Sequence, residues 1–356
     1  MIKNILVIRF QEMGDTILTT SLLDTLHLSF PNSKIDYIVN DKIAPLFQGH
    51  LSINEIISFT YEERHNIMLY VRKVWNIVHD KHYDAIIDLR WTTKSILFSI
   101  FSKRTKYRIG VNKWYTRFAY NYSFPKNKGS IIEHNLSLLE PLKQEGQIKT
   151  SKELSLFITD EERNKYKEYL KLKNLNEDKH VMLANVTAKL AEKVWNEERM
   201  VEVLNTFIKR HPDVQIIFNF APGQEEENAL RIYEKLGKPQ QVRVDIKAKS
   251  PRELVALCEN ITLFFGNEGG ARHIAHATGT PSLVICAPEN NPRTWIPQNS
   301  VPAEGITVHD LKEDTVLSTM TREQQYDLIT SEMVSKRLET FYNNIKKNEK
   351  THYHII

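Results

Sequence analysis

Phe265-Gly266-Asn267-Glu268-Gly269-Gly270-Ala271-Arg272-His273-Ile274-Ala275-His276 reads as the end of a strand, a glycine-rich turn and the opening turns of a helix. A junction of this kind leaves backbone N–H groups unpaired at the helix start and turns the positive end of the helix dipole outward. It therefore suits an anion, and a diphosphate in particular. Glycine at a tight strand-to-helix turn also serves packing alone. His273 and His276 stand three apart on the helix, a spacing a metal pair uses, but no carboxylate or third ligand accompanies them at a recognisable spacing. No metal site is expected, and at least one of the two histidines is read as structural.

Working outward from this junction, strand and helix patterns alternate on both sides. In the second half the strands are Val181 to Asn185, Gln215 to Phe220, Val242 to Ile246, Leu263 to Phe265 and Ser282 to Cys286. Helices run over Glu197 to Lys209, Glu225 to Leu236, Arg252 to Glu259 and Ala271 to Thr278. Ser250-Pro251-Arg252-Glu253 carries an explicit helix start: Ser at the N-cap, Pro at the first helical position and Glu closing a capping box. A final helix is expected from Ser331 to Lys347. The first half alternates in the same way, with strands at Ile5 to Ile8, Lys34 to Val39, Asp84 to Leu89 and Tyr107 to Val111. Its helices are Thr16 to Ser29, Tyr70 to His79 and Thr92 to Ser102.

Alternation of this kind predicts parallel sheets covered on both faces, so the fold class is α/β with two doubly wound, Rossmann-like domains. The pattern lapses into polar residues between Gln144 and Thr150, which sets the expected domains at 1–150 and 151–356. Ligands of such sheets bind beyond the carboxyl ends of the strands, so the chemistry is expected in strand-to-helix loops facing a cleft between the domains.

Composition excludes several classes. At 356 residues the chain exceeds what one core usually supports. Hydrophobic residues at 41% and charged residues at 26% exclude a disordered chain. The apolar run Ile5 to Ile8 is too short for a signal peptide or a membrane span, and no later run is long enough. Cys258 and Cys286 suggest neither a disulfide framework nor a zinc site, which fits a reducing cytoplasm. From Lys103 to Arg117 there are six basic residues and no acidic one, interleaved with Tyr107, Trp114 and Tyr115, with Phe118 following. Such a stretch is either a solvated surface or a patch that meets anionic lipid or phosphorylated glycan at the inner face of the cytoplasmic membrane. No motif supports nucleic acid.

Two further loops carry candidate chemistry. Arg9-Phe10-Gln11-Glu12-Met13-Gly14-Asp15-Thr16 follows the first strand and opens the first helix. Asp15 is either a cap that complements the helix dipole or a general base, with Glu12 the spare carboxylate. Asn185-Val186-Thr187-Ala188-Lys189 and Lys193-Val194-Trp195 follow the first strand of the second half. Lys189 or Lys193 is either a solvated loop lysine or a cation placed against a leaving diphosphate.

Together these loops resemble glycosyltransferase family 9, the lipopolysaccharide heptosyltransferases. The resembling residues are Ile5-Leu6-Val7-Ile8-Arg9, Gly14-Asp15, Leu18-Thr19-Thr20-Ser21-Leu22-Leu23, Tyr83 to Leu89, Arg108-Ile109-Gly110 and Lys193-Val194-Trp195. The Phe265 to Ala275 signature is the most specific, and Ala277-Thr278-Gly279-Thr280-Pro281, Ala287-Pro288 and Trp295-Ile296-Pro297 follow it in family order. The resemblance implies a GT-B fold and inverting sugar transfer from a nucleotide-sugar donor to a glycolipid acceptor, without a cofactor or a required metal. Asp15 matches the catalytic base. The donor-side residues are then Lys193, Thr187, Asn267, Glu268, Gly269, Gly270 and His273, held by the C-terminal domain. The acceptor-side residues are Gly14, Arg104, Arg108 and Lys113, held by the N-terminal domain. Heptose is the default sugar. This chain departs from the family pattern at Glu268-Gly269, where Asp and Ser or Thr are usual, at Ala271 in place of proline, and at Asn185-Val186-Thr187 in place of a glycine-containing loop. The Glu268 change motivates the rival reading, a catalytically degenerate scaffold that binds glycolipid or a protein partner, and the retained Asp15 and Lys193 count against it. A sugar-nucleotide epimerase lacks a second acid/base pair, and a dinucleotide oxidoreductase lacks the G-x-G-x-x-G spacing.

Overall fold

The computed structural model describes residues 2–10, 12–125, 129–176 and 179–352; Gln11 of the first loop lies outside them. The chain divides into two compact units, Met1–Thr159 and Asp160–Ile356.

The first unit is a six-stranded sheet of β1 (Asn4–Ile8), β2 (Lys34–Asn40), β3 (Glu55–Phe59), β4 (Ala85–Asp88), β5 (Tyr107–Val111) and β6 (Tyr122–Phe124), in the order β3-β2-β1-β4-β5-β6. Every neighbouring pair is parallel. Ile5, Leu6, Val7 and Ile8 are all fully buried, as a central parallel strand covered on both faces requires. The order reverses between β1 and β4, so the loops after these two strands diverge and leave room between them for a ligand. β3 and β6 are absent from the sequence reading because each is short and lies between polar residues.

The single helix expected over Thr16 to Ser29 is two helices, Met13–Leu18 and Thr20–Ser29. At the break, hydroxyls bond back to the preceding turn: Thr19 Oγ1 to the Asp15 carbonyl (2.9 Å), Thr20 Oγ1 to Ile17 (2.7 Å) and Ser21 Oγ to Leu18 (3.0 Å). Such back-bonding competes with the helical ladder and bends it. The helix expected from Thr92 is likewise confined to Ile96–Phe101. The units divide at Thr159 rather than near 150, because the segment in between is tied to helix Thr20–Ser29. The Ser151 N–H donates to Thr25 Oγ1 (2.9 Å), the Ser155 N–H to Thr20 Oγ1 (3.1 Å) and Ser155 Oγ to Asp24 (2.6 Å).

The second unit repeats the design with β7 (Val181–Asn185), β8 (Gln215–Phe218), β9 (Val242–Arg243), β10 (Leu263–Asn267), β11 (Ser282–Ile285) and β12 (Ala303–Ile306), ordered β12-β11-β10-β7-β8-β9. All of these pairs are parallel too. The reversal falls between β7 and β10. β12 escaped the sequence reading because Glu304 and Gly305 interrupt any apolar run. The closing helix Ser331–His352 places Leu338, Phe341 and Tyr342 in the core beside Phe207 of helix Glu197–Arg210.

β7 and β10 lie backbone against backbone at Gly266, whose φ is +127° and where an added Cβ would sit 2.4 Å from the Asn185 carbonyl oxygen. Only glycine tolerates both conditions. Gly266→Ala is therefore expected to destabilise the second unit by about 1–3 kcal/mol or more, the usual range for overpacking, as a fall in urea midpoint at unchanged m.

Candidate active site

In the first unit the reversal point is organised around Arg9, which follows β1 and is 1% exposed. Its backbone N–H donates to Ile38 of β2 (3.0 Å), one guanidinium nitrogen donates to the Leu89 carbonyl after β4, and Nη2 donates to Asp15 Oδ1 at 2.9 Å. Burial lowers the Arg9 pKa, and the Asp15 carboxylate opposes that shift. Asp15 sits in the first turn of helix Met13–Leu18 with its side chain 13% exposed. Oδ1 is held by Arg9, and Oδ2 makes no hydrogen bond among the described residues. Such a carboxylate is fixed in orientation and open at one oxygen, as a general base must be. Gly14 lies in the same turn.

In the second unit the turn after β10 enters helix Gly270–Ala277 through the extended residue Gly269. Glu268 points back into the protein: Oε1 accepts the Ala287 N–H (3.3 Å), Oε2 accepts Asn290 Nδ2 (2.5 Å), and Lys193 Nζ lies 3.8 Å away. Burial raises the Glu268 pKa, against the pull of Asn290, Lys193 and Arg272. Arg272 is 4% exposed and donates from Nη2 to the Trp295 carbonyl (2.9 Å), while Nη1 is buried with no partner among the described residues. Burial brings the Arg272 pKa down to about 10. Its Nη2 also lies 3.0 Å from His273 Nε2. The His273 imidazole is held well below its usual pKa by burial first, then by the charges of Arg272, His276 and Lys193. It stays neutral at physiological pH.

Among the donor-side candidates, Lys193, Glu268, Gly269, Gly270 and His273 come together at this helix start. Thr187 is buried nearby on the loop after β7, its hydroxyl unpartnered among the described residues. Asn267 is different: it is fully buried, its Oδ1 accepts the Trp195 N–H (2.9 Å) and its Nδ2 donates to the Asn185 carbonyl (3.2 Å). Both ends of its amide are committed to joining loops, so it positions the site rather than presenting a group to a ligand. His276 bonds to Asn299 (2.9 Å).

The acceptor-side candidates divide. Lys113 follows β5, at the same carboxyl edge of the sheet as Asp15. Arg104 precedes β5 and Arg108 is its second residue, so both lie at the opposite, amino edge. Arg108 donates to the carbonyls of Lys103 (2.9 Å), Thr105 (3.1 Å) and Ala119 (3.1 Å), clasping two loops together. The basic run from Lys103 to Arg117 thus spans both edges of the sheet and is not one patch, because the strand Tyr107–Val111 separates its halves. Sequence reading also missed roles for Arg9, Arg272 and Asn290. The first two carried a signal, a lone arginine closing or interrupting an apolar run, whereas Asn290 carried none.

A doubly wound sheet repeated twice in one chain narrows the class to two-domain α/β proteins whose ligands lie beyond the carboxyl ends of the strands. The model of glycosyltransferase family 9 (heptosyltransferase) matches residues 71–325, and the chain belongs to that family. It is a glycosyltransferase. The matched stretch begins after the Asp15 loop. Lipopolysaccharide heptosyltransferase 1 of Campylobacter coli is 24% identical over 294 residues, spanning 79% of this chain and 83% of that protein. A glycosyl transferase family 9 structure from Veillonella parvula superposes with a TM-score of 0.77 at 19% identity, covering 95% of this chain and 97% of the other. The E. coli ADP-heptose lps heptosyltransferase II superposes at 0.70 with 20% identity, covering 97% and 99%. The fold is that of these two-domain GT-B enzymes.

A depressed histidine pKa makes stability pH-dependent with a definite sign. Below about pH 6.5 the unfolded chain protonates this residue and the folded chain does not, so stability is lost as pH falls and is level above. Denaturation of the wild type against His273→Asn between pH 5 and 8 is expected to show the wild type steeper on the acid side, by at most about 1.4 kcal/mol per pH unit, and the two parallel above pH 7.

Proposed function

We propose that this glycosyltransferase moves heptose from ADP-heptose onto a lipopolysaccharide-type glycolipid with inversion. In this reading the first unit binds the acceptor and the second the donor. The observation that carries it is the Asp15 carboxylate, held by Arg9 through Oδ1, with Oδ2 making no hydrogen bond among the described residues. Asp15 takes the proton of an acceptor hydroxyl as that oxygen attacks the anomeric carbon from the face opposite the diphosphate. The bond between the carbon and the diphosphate oxygen breaks, and its electron pair leaves with the phosphate. Lys193 and the N–H groups at the Gly270 helix start meet the charge that develops there, a stabilisation that grows toward the transition state. The donor is inferred from the ADP-heptose named for the similar E. coli enzyme, and the acceptor class from the lipopolysaccharide heptosyltransferases among the relatives.

A peripheral contact with the inner face of the cytoplasmic membrane fits the loop after β5. There Trp114 is 90% and Phe118 71% exposed, beside Lys113 and Arg117. Aromatic and basic side chains together favour the interface of an anionic bilayer. The double variant Trp114→Ser/Phe118→Ser is expected to co-sediment less with vesicles containing anionic lipid than the wild type; equal sedimentation overturns the contact.

Asp15→Asn keeps the size and the hydrogen bond to Arg9 but cannot accept a proton. It is expected to lower kcat by about 10²–10⁴-fold and leave ADP binding, read by thermal shift, unchanged. Unchanged turnover removes Asp15 from the mechanism. A wild type that binds ADP without transferring any sugar favours the degenerate scaffold.

A further inference from the structure

The turn after β4 carries a feature that the proposed reaction does not use. Asp88, fully buried at the end of β4, accepts the backbone N–H groups of Arg90 (2.8 Å) and Trp91 (2.9 Å) on Oδ1 and the Tyr120 hydroxyl (2.6 Å) on Oδ2. This arrangement holds Trp91 at φ +41°, in the left-handed region that bulky side chains avoid. The surroundings hold the indole in that strained position. The His134 ring meets it edge to face at 5.6 Å, and the Tyr115 hydroxyl donates to the Trp91 carbonyl (3.3 Å). Lys113 Nζ lies 6.0 Å from the indole centroid and donates to the Tyr115 hydroxyl (3.1 Å). Trp91 is half-buried, so part of the ring remains open to solvent.

Charge sets what this surface takes. Lys113 pairs with no carboxylate among the described residues, and the loop that carries it after β5, from Asn112 to Arg117, holds no acidic residue. An aromatic face beside an uncompensated ammonium fits a pyranose that stacks its C–H face on the ring and turns an anionic substituent toward the lysine. The turn is also mechanically joined to the base, because Arg9 donates both to Leu89, two residues before Trp91, and to Asp15.

We propose that Trp91, with Lys113 beside it, forms the subsite that stacks the acceptor sugar ring, and that this ring carries a carboxylate or a phosphate. The inference rests on the transferase reading and gives the acceptor site a residue that neither the family pattern nor the base assignment supplies. Trp91→Gly is the informative variant. Glycine adopts φ +41° without strain, so the ring is removed while folding is preserved or improved; Trp91→Tyr restores an aromatic face.

The full-length protein and its variants are titrated with galacturonate, glucose 6-phosphate and the neutral methyl glucoside by saturation-transfer NMR, and with ADP by thermal shift. The wild type is expected to bind at least one anionic sugar more tightly than the neutral one. Trp91→Gly should lose about tenfold or more of that affinity, Trp91→Tyr should recover most of it, and Lys113→Gln should abolish the preference for the anion. Preference for galacturonate assigns the group as a carboxylate, and preference for glucose 6-phosphate as a phosphate. Equal binding by wild type and Trp91→Gly, or no binding of either anion by the wild type, overturns the subsite. The ADP arm keeps the two inferences apart, because a wild type without an ADP shift counts against the donor reading, whereas normal ADP binding with an inert Trp91 counts against the subsite alone.

Discussion

A guanidinium buried at the centre of a sheet is tolerated only if its charge and its donors are met, because an uncompensated buried ion costs several kcal/mol. Arg9 stands where the first sheet changes direction, and although its Nε finds no partner among the described residues, meeting the charge and the two terminal nitrogens draws three pieces of chain to one place. The backbone N–H of Arg9 continues the ladder to β2, while its side chain reaches the Leu89 carbonyl beyond β4 and the Asp15 carboxylate in the first helical turn. Asp15 is thereby oriented by the core of the fold and not by a surface loop. The same bonds fix the turn that leads into Trp91, so an orienting arginine serves both the Asp15 carboxylate and the neighbouring aromatic face.

The second unit meets the same geometric problem with neutral groups. Asn185 Nδ2 donates to the Asn267 carbonyl (3.1 Å) and Asn267 Nδ2 to the Asn185 carbonyl (3.2 Å), while Asn219 Nδ2 donates to Asn185 Oδ1 (2.9 Å). This exchange of amide bonds across β7 and β10 works only because Gly266 lets the two backbones come into contact. With the strand ends locked by amides, no charged side chain is consumed in holding them. Lys193, Glu268 and Arg272 are left to shape the field at the helix start.

What the sequence disclosed follows from how each feature is encoded. The central strands were legible because burial on both faces writes itself as an unbroken apolar run, as in Ile5 to Ile8. The edge strands Glu55–Phe59 and Ala303–Ile306 were not, because a strand with a solvated side needs no such run. The strand-to-helix turns were legible from glycine and the change of period. The division of the basic run was hidden: Arg108 and Lys113 are five apart in sequence, but a strand carries them to opposite edges of the sheet. The burial of Asn267 was hidden for a related reason, since an asparagine beside a glycine turn looks the same whether its amide faces a ligand or bonds to Asn185 and Trp195.

The helix start at Gly270 carries its own counter-ion, and that has an electrostatic consequence. Lys193, Arg272 and the helix dipole are three positive elements around one half-buried carboxylate, Glu268. Without a ligand, Glu268 offsets their mutual repulsion, while burial first, and the neighbouring charges second, keep His273 uncharged and available as a neutral hydrogen-bonding group. A diphosphate at the Gly270 N–H groups would meet repulsion from Glu268 if that carboxylate faced it. Both oxygens of Glu268 are instead engaged within the protein, by Asn290 and the Ala287 N–H. Lys193, at 3.8 Å, is too far from Glu268 for a tight hydrogen bond and so can turn to an incoming phosphate at little cost. In the proposed reading the carboxylate steadies the cations before the donor arrives and yields one of them when it does.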